Sequence, residues 1–306
     1  MLRQAAVFIS RGVAKKRPNA VARPPWERSL LDDVAMRRPW NLLLAAARLR
    51  ARVRVRSLHE GVTVVIVSWN TRGVLADVLR AVQRFTPTEV RVMVIDNGST
   101  DGSREMLRAW PGIRTVPLPS NAGHGAALDL GVFLARTSIV VTLDSDAIPL
   151  REGWLDSAVE PVRSGRAVLA GLRSSRNFVH PVYLAVDTET FIKRRLSFQV
   201  HRLPGVSEAD ARWGENAWDT GELMTPRLDP ADVVFVERTE NVVGGLPGMT
   251  AAGVVYHHGG VSRSADGGVT AEALQEWRSA CRALGLWFVD DPARTHETGE
   301  KVVRLE

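Results

Sequence analysis

Cysteine is nearly absent from this 306-residue sequence, and its scarcity excludes several classes of site. Because Cys281 is the single cysteine, the chain forms no intramolecular disulfide and no cysteine-cluster site for zinc or iron–sulfur. Long apolar runs are also missing, since none approaches the ~18 residues that span a bilayer. Glycine and proline, at 25 and 16 residues, are at ordinary levels. The composition is therefore that of a globular protein, not of a collagen-like or disordered one.

Acidic residues are scarce in the first fifth of the sequence. Residues 1–60 carry 14 basic and 4 acidic side chains, whereas the remainder of the chain is mildly acidic. A nucleic-acid-binding core would show the opposite distribution, so we predict no nucleic-acid partner. The basic arm, with Trp40 and a Leu run, favours peripheral contact with an anionic membrane, but a solvated tail or a helix packed on its own domain is an equal alternative. The period-two alternation of Arg with Val and Leu at its end argues against a clean amphipathic helix.

Strand and helix patterns alternate from Val62 onward. Four apolar, largely β-branched runs predict strands that start at residues 62, 90, 113 and 138, and apolar residues at helical spacing lie between them. This alternation implies right-handed βαβ crossovers. We therefore predict an α/β fold with a mainly parallel twisted sheet flanked by helices.

Polar side chains follow three of these strands, at Ser68–Thr71, Asp96–Ser99 and Asp144–Asp146. Ligands of parallel sheets bind beyond the carboxyl ends of the strands, so these residues should line one site. Asp144 and Asp146 bring like charges together, which is unfavourable unless a cation shares them or one of them is protonated. Carboxylate oxygens suit Mg²⁺ or Mn²⁺, whose remaining positions are usually filled by water and substrate phosphates. The pattern favours a diphosphate substrate, and no glycine-rich dinucleotide or phosphate-loop motif is present.

Four motifs in this order resemble the inverting family 2 glycosyltransferases, which have a single-domain GT-A fold: Val67–Thr71, Val94–Ser103, Asn121–Gly125 and Leu143–Asp146. The resemblance is specific over residues 62–149, looser over 153–263 and absent from the N-terminal arm. It implies metal-assisted transfer of a sugar, with inversion, from a nucleoside diphosphate donor such as a UDP- or dTDP-sugar. The acceptor would be a hydroxyl group, for example on a lipid-linked glycan or a natural product, in cell-wall or other glycan biosynthesis.

The resemblance also implies roles for individual residues. Those implied to bind the nucleoside part of the donor are Asp96, Ser68, Asn70, Asn121, Gly123 and His124. Asp144 would lie near the ribose and the metal, Asp146 would hold the metal, and His257 rather than His258 would complete its shell. Turn and cap formation is the alternative role for Asp96, Asn121 and His124. Asp129 stands where many family members have Asn, which weakens any role for that position.

The catalytic base is expected in the second half of the chain. Inverting transfer needs a carboxylate to accept the proton of the attacking hydroxyl. Trp218-Asp219 stands where the family usually has Glu-Asp, so the resemblance favours Asp219 as the base and Glu222 as the second choice. On a helix, residues three apart share a face. The alternative is that Asp219 caps that helix.

These patterns divide the chain into three regions. We predict a basic extension at 1–60, a GT-A domain at 61–265 with a nucleotide-binding half (61–150) and an acceptor half (151–265), and a C-terminal helix and tail at 266–306. Two other functions stay open: a nucleotidyltransferase, although the expected phosphate loop is missing, and a non-catalytic relative that binds carbohydrate or membrane. We predict a cytoplasmic location, with the inner face of the membrane favoured by the basic arm.

Overall fold

The computed structural model describes residues 42–199, 219–240, 248–259, 261 and 268–286. Predictions that fall on residues 1–41 of the basic arm, on Trp218 and on the C-terminal tail after residue 286 lie outside the described residues. Within the described part of the chain, no helix has both the length and the apolar character needed to cross a membrane.

Strands and helices alternate through the first half, as predicted. The strands are β1 (His59–Ser68), β2 (Arg91–Asp96), β3 (Ile113–Pro117), β4 (Thr137–Asp144), β5 (Ala147–Pro149), β6 (Leu169–Arg173), β7 (Val179–Asp187), β8 (Val233–Val236), β9 (Arg238–Glu240), β10 (Met249–Ala251) and β11 (Val255–His257). The helices are α1 (residues 42–54), α2 (Arg72–Phe85), α3 (Ser103–Ala109), α4 (His124–Leu134), α5 (Asp156–Arg163), α6 (Thr188–Lys193) and α7 (Ala271–Ala283).

The larger sheet has seven strands in the order β3-β2-β1-β4-β7-β6-β8. Strands β1 to β4 pair in parallel, and β6 pairs in parallel with β8, whereas β7 runs antiparallel to both of its neighbours. The predicted α/β class and the mainly parallel sheet are therefore confirmed. The reversed β7 has a consequence for the site, because its amino end lies at the edge where β4 has its carboxyl end.

Both faces of this sheet are buried, which explains the continuous apolar run of β1. Val64 and Ile66 point into one hydrophobic cluster, with residues of α2, α5 and α7. Val65 and Val67 point into the other, with residues of α1, α4 and α6. Successive side chains of a strand face opposite sides, so a strand covered on both faces must be apolar throughout.

A second, four-stranded antiparallel sheet has the order β5-β11-β10-β9 and was not predicted. In it, Ala147 of β5 pairs with His257 of β11, although 110 positions separate them in the sequence. Asp146 immediately precedes β5, so this pairing places the end of β11 beside the acidic turn that follows β4. The two halves predicted for the domain are thus joined by backbone hydrogen bonds at the site itself.

The end of the basic arm is helical, so the interpretation of its period-two pattern was wrong. Leu44, Ala47 and Ala51 recur at helical spacing on one side of α1 and are buried against the domain. Two arginines of α1 donate to backbone carbonyls of the domain, Arg48 to Leu196 and Arg54 to Phe133, at 3.3 and 2.7 Å. For residues 42–57 the packed-helix alternative is therefore the one observed.

Helix α7 closes the domain, as its pattern predicted. Trp277 is fully buried and its indole Nε1 donates to Asp77 Oδ2 of α2 at 3.0 Å. Cys281 lies on the same side, and burial raises the pKa of its thiol well above the usual range. A thiol held protonated in this way is unreactive, in agreement with a packing role for α7.

Candidate active site

The polar strand ends predicted to converge do lie on one edge of the larger sheet. Ser68 at the end of β1 pairs in register with Asp96 at the end of β2, and Val67 pairs with Asp144 at the end of β4. The loop that follows β3 carries Asn121 and Gly123 to the same edge. Parallel strand direction alone brings these residues together, since all four strands end there.

Asp144, Asp146 and His257 form a group at this edge that could hold a metal ion. One ligand atom from each of the three side chains lies within 4.8 Å of the other two. His257 Nε2 is 3.3 Å from Asp146 Oδ1, a contact that follows from the pairing of Ala147 with His257. Asp144 Oδ1 is buried without a hydrogen bond; it lies 3.4 Å from His124 Nε2 as an ion-pair contact only. Two carboxylates and an imidazole in this arrangement suit a divalent cation.

Histidines surround the acidic turn on three sides. Burial raises the pKa of Asp144, but the close approach of His124 and the positive charges of His124, His257 and His180 outweigh it and hold that pKa below the usual range. Burial lowers the pKa of His124, but Asp144, then Asp219 and Asp146, outweigh burial and raise it. The lowered pKa keeps the Asp144 carboxylate ionised, as a metal ligand must be.

His258, which follows His257 in the sequence, has a different environment. His258 is buried, and its Nδ1 lies 2.8 Å from the hydroxyl of Tyr256. Burial lowers the pKa of His258 and keeps its imidazole neutral. Adjacent strand residues face opposite ways, which is why His257 faces Asp146 and His258 faces the core.

Asp219 lies at the same edge, in contact with His180. Asp219 Oδ2 lies 3.3 Å from His180 Nε2, and His180 sits at the start of the reversed strand β7. His180 Nδ1 accepts the backbone N–H of Val182 at 3.1 Å, so the ring proton belongs on Nε2, facing the carboxylate. The sequence pattern gave no reason to select His180, because only the antiparallel direction of β7 brings it to this edge.

Asp219 and Glu222 are close in space but do not share a helix, which corrects the expected local structure. Residues 219–224 form turns, with Gly221 in the left-handed region (φ 76°). Glu222 is buried: its Oε2 accepts the backbone N–H of Asp219 at 2.7 Å, and its Oε1 pairs with Arg176 at 2.8 Å. Asp219 instead keeps a side chain that is 46% exposed. Arg176 was not among the predicted site residues.

Side chains of the predicted nucleoside-binding group hold the loops of this edge together. Asn70 has a left-handed backbone (φ 54°), and its Oδ1 accepts the N–H of Thr100 at 2.8 Å. Asn121 Oδ1 accepts from Asn97 Nδ2 at 2.9 Å and from the N–H of Gly123 at 2.8 Å. These bonds fix three loops relative to one another.

Asp96 is fully buried, and both of its oxygens accept hydrogen bonds from the protein. Oδ1 accepts the N–H of Ser99 at 3.0 Å, and Oδ2 pairs with Arg104 Nε at 2.7 Å. Gly98, in the turn between Asp96 and Ser99, has a φ of 82°, and a Cβ there would overlap the backbone of Ser120. The turn role described as an alternative for Asp96 is thus observed. Ser68 is also buried, with its hydroxyl 2.9 Å from that of Thr71.

Asn121 and His124 do not cap α4. The N-cap of that helix is Gly123, with φ 85°, and it makes no side-chain cap bond. His124 is the first helical residue and turns toward Asp144 instead. The capping alternative for these two residues is therefore wrong.

Asp129 has a structural role that the sequence argument dismissed. It lies on α4, is 2% exposed, and its carboxylate accepts three bonds from the segment after α6. Oδ1 accepts from the N–H of Phe198 at 2.8 Å; Oδ2 accepts from the Ser197 hydroxyl at 2.6 Å and from Gln199 Nε2 at 2.8 Å. The carbonyl of Phe198 in turn accepts the N–H of Gly221, two residues from Asp219. Asp129 therefore supports the segment that carries Asp219.

Comparison with known proteins agrees with this geometry. Residues 63–205 match the model of Glycosyl transferase family 2. An uncharacterised glycosyltransferase of Mycobacterium tuberculosis is 32% identical over 145 residues, which cover 47% of this chain and 63% of the relative. Glycosyltransferase AglE of Haloferax volcanii is 28% identical, over 54% of this chain and 63% of its own. The chain thus spans just under two thirds of the length of these curated relatives.

Solved structures with partial likeness are also glycosyltransferases. The mannosyltransferase PcManGT from Pyrobaculum calidifontis, in complex with GDP-Man and Mn²⁺, has a TM-score of 0.41 and 20% identity, over 54% of this chain and 59% of its own. Glucosyl-3-phosphoglycerate synthase of Mycobacterium tuberculosis, with Mn²⁺ and UDP, has a TM-score of 0.37 and 21% identity, over 43% of this chain and 58% of its own. Residues 63–205 of this chain are therefore similar to glycosyl transferase family 2 domains.

Proposed function

We propose that this chain is an inverting glycosyltransferase that moves a sugar from a nucleoside diphosphate donor to an acceptor hydroxyl. The observation that carries the proposal is the convergence of Asp144, Asp146 and His257 to within 4.8 Å at the carboxyl edge of a parallel sheet. Asp219 helps to raise the pKa of His124, whose Nε2 lies 3.4 Å from Asp144 Oδ1. A metal-ligand set and a separate, exposed carboxylate are the two elements that such a transfer requires.

The ligand set fits Mn²⁺ or Mg²⁺. Asp144 offers a buried oxygen that makes no hydrogen bond, and Asp146 is almost fully buried with an oxygen facing His257. Burying two like charges at this distance is costly unless a cation compensates them. Bound there, a divalent cation would supply positive charge that stabilises the departing diphosphate.

Asp219 is the residue we propose to accept the proton of the attacking hydroxyl. It combines exposure with a fixed orientation, since Oδ2 faces His180 and Oδ1 accepts the N–H of Thr220 at 2.7 Å. Glu222 is the weaker candidate because both of its oxygens are already bound, to Arg176 and to the backbone of Asp219. We assign Glu222 and His180 the role of positioning Asp219. Attack by the acceptor hydroxyl on the face of the anomeric carbon opposite the leaving group would give inversion.

We further propose that the loops after β1, β2 and β3 bind the nucleoside part of a UDP- or dTDP-sugar. The residues we assign to this pocket are Ser68, Asn70, Asp96, Asn121, Gly123 and His124. The hydrogen bonds that tie these loops together support a pocket that is preformed before the donor arrives. The proposed acceptor is a hydroxyl of a lipid-linked glycan or a natural product.

Metal binding gives the first test. Mn²⁺ titration, followed by calorimetry in the presence and absence of UDP, should show a site that Asp146→Ala removes. The exposed Asp156 provides the matched control, because Asp156→Ala deletes a carboxylate that is not part of the ligand group. Unchanged Mn²⁺ affinity in Asp146→Ala would remove this residue from the site.

Transfer gives the second test, and it separates Asp219 from Glu222. A panel of nucleotide sugars is screened by thermal stabilisation, and the donor found is used to measure hydrolysis and transfer with Mn²⁺ and with a chelator. Asp219→Asn should keep donor affinity while transfer falls by ~10²–10⁴-fold, the usual contribution of a general base. Glu222→Gln should lose less transfer activity than Asp219→Asn. If Asp219→Asn stays within a few-fold of the parent, another residue is the base.

The same assays distinguish the proposed function from the two alternatives. Transfer from a nucleoside triphosphate would indicate a nucleotidyltransferase. Metal-independent sugar binding with no turnover on any donor would indicate a non-catalytic relative.

A further inference from the structure

Helix α1 exposes a second apolar stripe on the side away from the domain. Leu42, Leu49 and Val53 are 74%, 64% and 76% exposed, the highest values among the large apolar residues of the described chain. At ~100° per residue these three side chains fall within roughly 40° of one another, opposite the buried Leu44 and Ala51. Packing on the domain explains one apolar face of α1 and leaves the other facing solvent.

Arginines border this stripe on both sides. Arg50 and Arg52 lie roughly 80° to either side of it, and both are exposed. On the adjoining surface of the domain, Arg114 and Arg136 are exposed as well. Within the described residues, none of these four arginines has an acidic side chain at ion-pair distance.

Three of these arginines act on Arg54 at the end of α1. Burial, followed by the charges of Arg136, Arg114 and Arg50, lowers the pKa of Arg54. We name the combined surface of Leu42, Leu49, Val53, Arg50, Arg52, Arg114 and Arg136 the α1 face. It joins exposed apolar side chains to an uncompensated positive charge.

We propose that the α1 face docks onto an anionic lipid membrane. Apolar side chains of an interfacial helix enter the boundary between headgroups and acyl chains, and flanking arginines bind lipid phosphates. Negative charge distinguishes this occupant from a second copy of the chain and from residues 1–41. A second copy would bring identical arginines against one another across a two-fold contact. Residues 1–41 carry 9 basic and 3 acidic side chains, so they too would add positive charge.

The position of the α1 face is compatible with catalysis on a docked enzyme. Arg54, His59 and Arg136 line a cavity of about 250 Å³ where β1 and β4 begin. Asp144 is at the other end of β4, and the ten residues of β1 separate the two edges by roughly 30 Å. The Arg54 end of α1 and Arg136 therefore lie at the edge of the sheet opposite the proposed metal site.

Vesicle co-sedimentation of the full chain tests the proposal. We expect binding to phosphatidylcholine vesicles that contain roughly 30% phosphatidylglycerol, weak binding to phosphatidylcholine alone, and loss of binding at about 0.5 M NaCl. Arg50→Gln/Arg52→Gln should weaken binding by about fivefold per arginine. Leu49→Ser/Val53→Ser should weaken it as well. The control Arg151→Gln/Arg166→Gln, at two exposed arginines outside α1, should stay within about twofold of the parent.

An insertion probe separates the α1 face from the rest of the arm. Because Cys281 is buried, a Leu49→Cys variant can be labelled at position 49 with an environment-sensitive dye. A blue shift of its emission with anionic vesicles supports the proposal. Binding that persists without a shift, or that is unchanged in Leu49→Ser/Val53→Ser, would assign the contact to residues 1–41 and overturn it. Equal binding to neutral vesicles, or a dimer in solution that Leu49→Ser/Val53→Ser abolishes, would overturn it too.

Discussion

The buried carboxylate of Asp129 should make the stability of the protein depend on pH in the opposite sense to an ordinary surface aspartate. Burial raises the pKa of Asp129 from 3.8 to about 6, and its hydrogen bonds to Ser197, Gln199 and Phe198 only partly oppose that rise. The folded state therefore keeps a proton between about pH 4 and 6 that the unfolded chain has released. Stability from this group is complete below the unfolded pKa and is lost as pH rises through the folded one.

The magnitude follows from the size of the shift. About two pKa units correspond to ~3 kcal/mol of unfolding free energy. Asp129→Asn cannot titrate, yet its carboxamide can still accept from the N–H of Phe198. We therefore expect the unfolding free energy of the parent minus that of Asp129→Asn to fall by ~3 kcal/mol as pH rises from about 4 to 7.

Urea unfolding of the parent and of Asp129→Asn at several pH values measures this difference in unfolding free energy. The contributions of the other carboxylates are the same in the two proteins and cancel. Asp156→Asn, an exposed carboxylate, controls for the removal of a negative charge. A difference between parent and Asp129→Asn that is flat over this range would refute the reasoning. Asp129→Ala should instead be destabilised at every pH, since it leaves the buried N–H of Phe198 unpaired at a cost of ~1–3 kcal/mol.

Two further predictions concern the packing that holds the site edge in place. Gly131→Ala adds a Cβ to α4 that overlaps the buried Val65 of β1. The overpacking cost of ~1–3 kcal/mol should exceed the ~1 kcal/mol gained in helix propensity, so the melting temperature should fall. An unchanged or higher melting temperature would contradict this. Trp277→Phe removes the donor to the buried Asp77, so it should cost ~1–3 kcal/mol beyond the lost volume in urea unfolding and raise the pKa of Asp77 further. If the losses of Trp277→Phe and Asp77→Ala simply add in the double variant, the bond contributes nothing.

Three of the predicted site residues share one property, since each ends a strand whose direction the sequence already implies. Ser68, Asp96 and Asp144 converge because parallel strands put their carboxyl ends at one edge, and this needs no knowledge of side-chain packing. His180 was not predicted, because a strand of unknown direction gives no reason to prefer either of its ends. The reversal of β7 is what places His180 beside Asp219.

Asp129 and α1 show a second reason why sequence reasoning stopped short. The partners of Asp129 are 68 to 70 residues away, and no periodicity or spacing on α4 points to them. In α1, alternating Arg and Val suggested a period of two, but burial of Leu44, Ala47 and Ala51 against the domain stabilises a helix. Tertiary packing overrides a weak local pattern of this kind.

The order of the first four strands and the helices between them, the buried β1 and the acidic turn after β4 were determined by the sequence alone, because local hydrophobic period and strand-end chemistry depend on near neighbours. The pairing of β5 with β11, which brings His257 to Asp146, was decided only by the tertiary structure. Contacts between residues more than a hundred positions apart depend on how the whole chain closes its core, and closure is a property of the packed molecule rather than of any one segment.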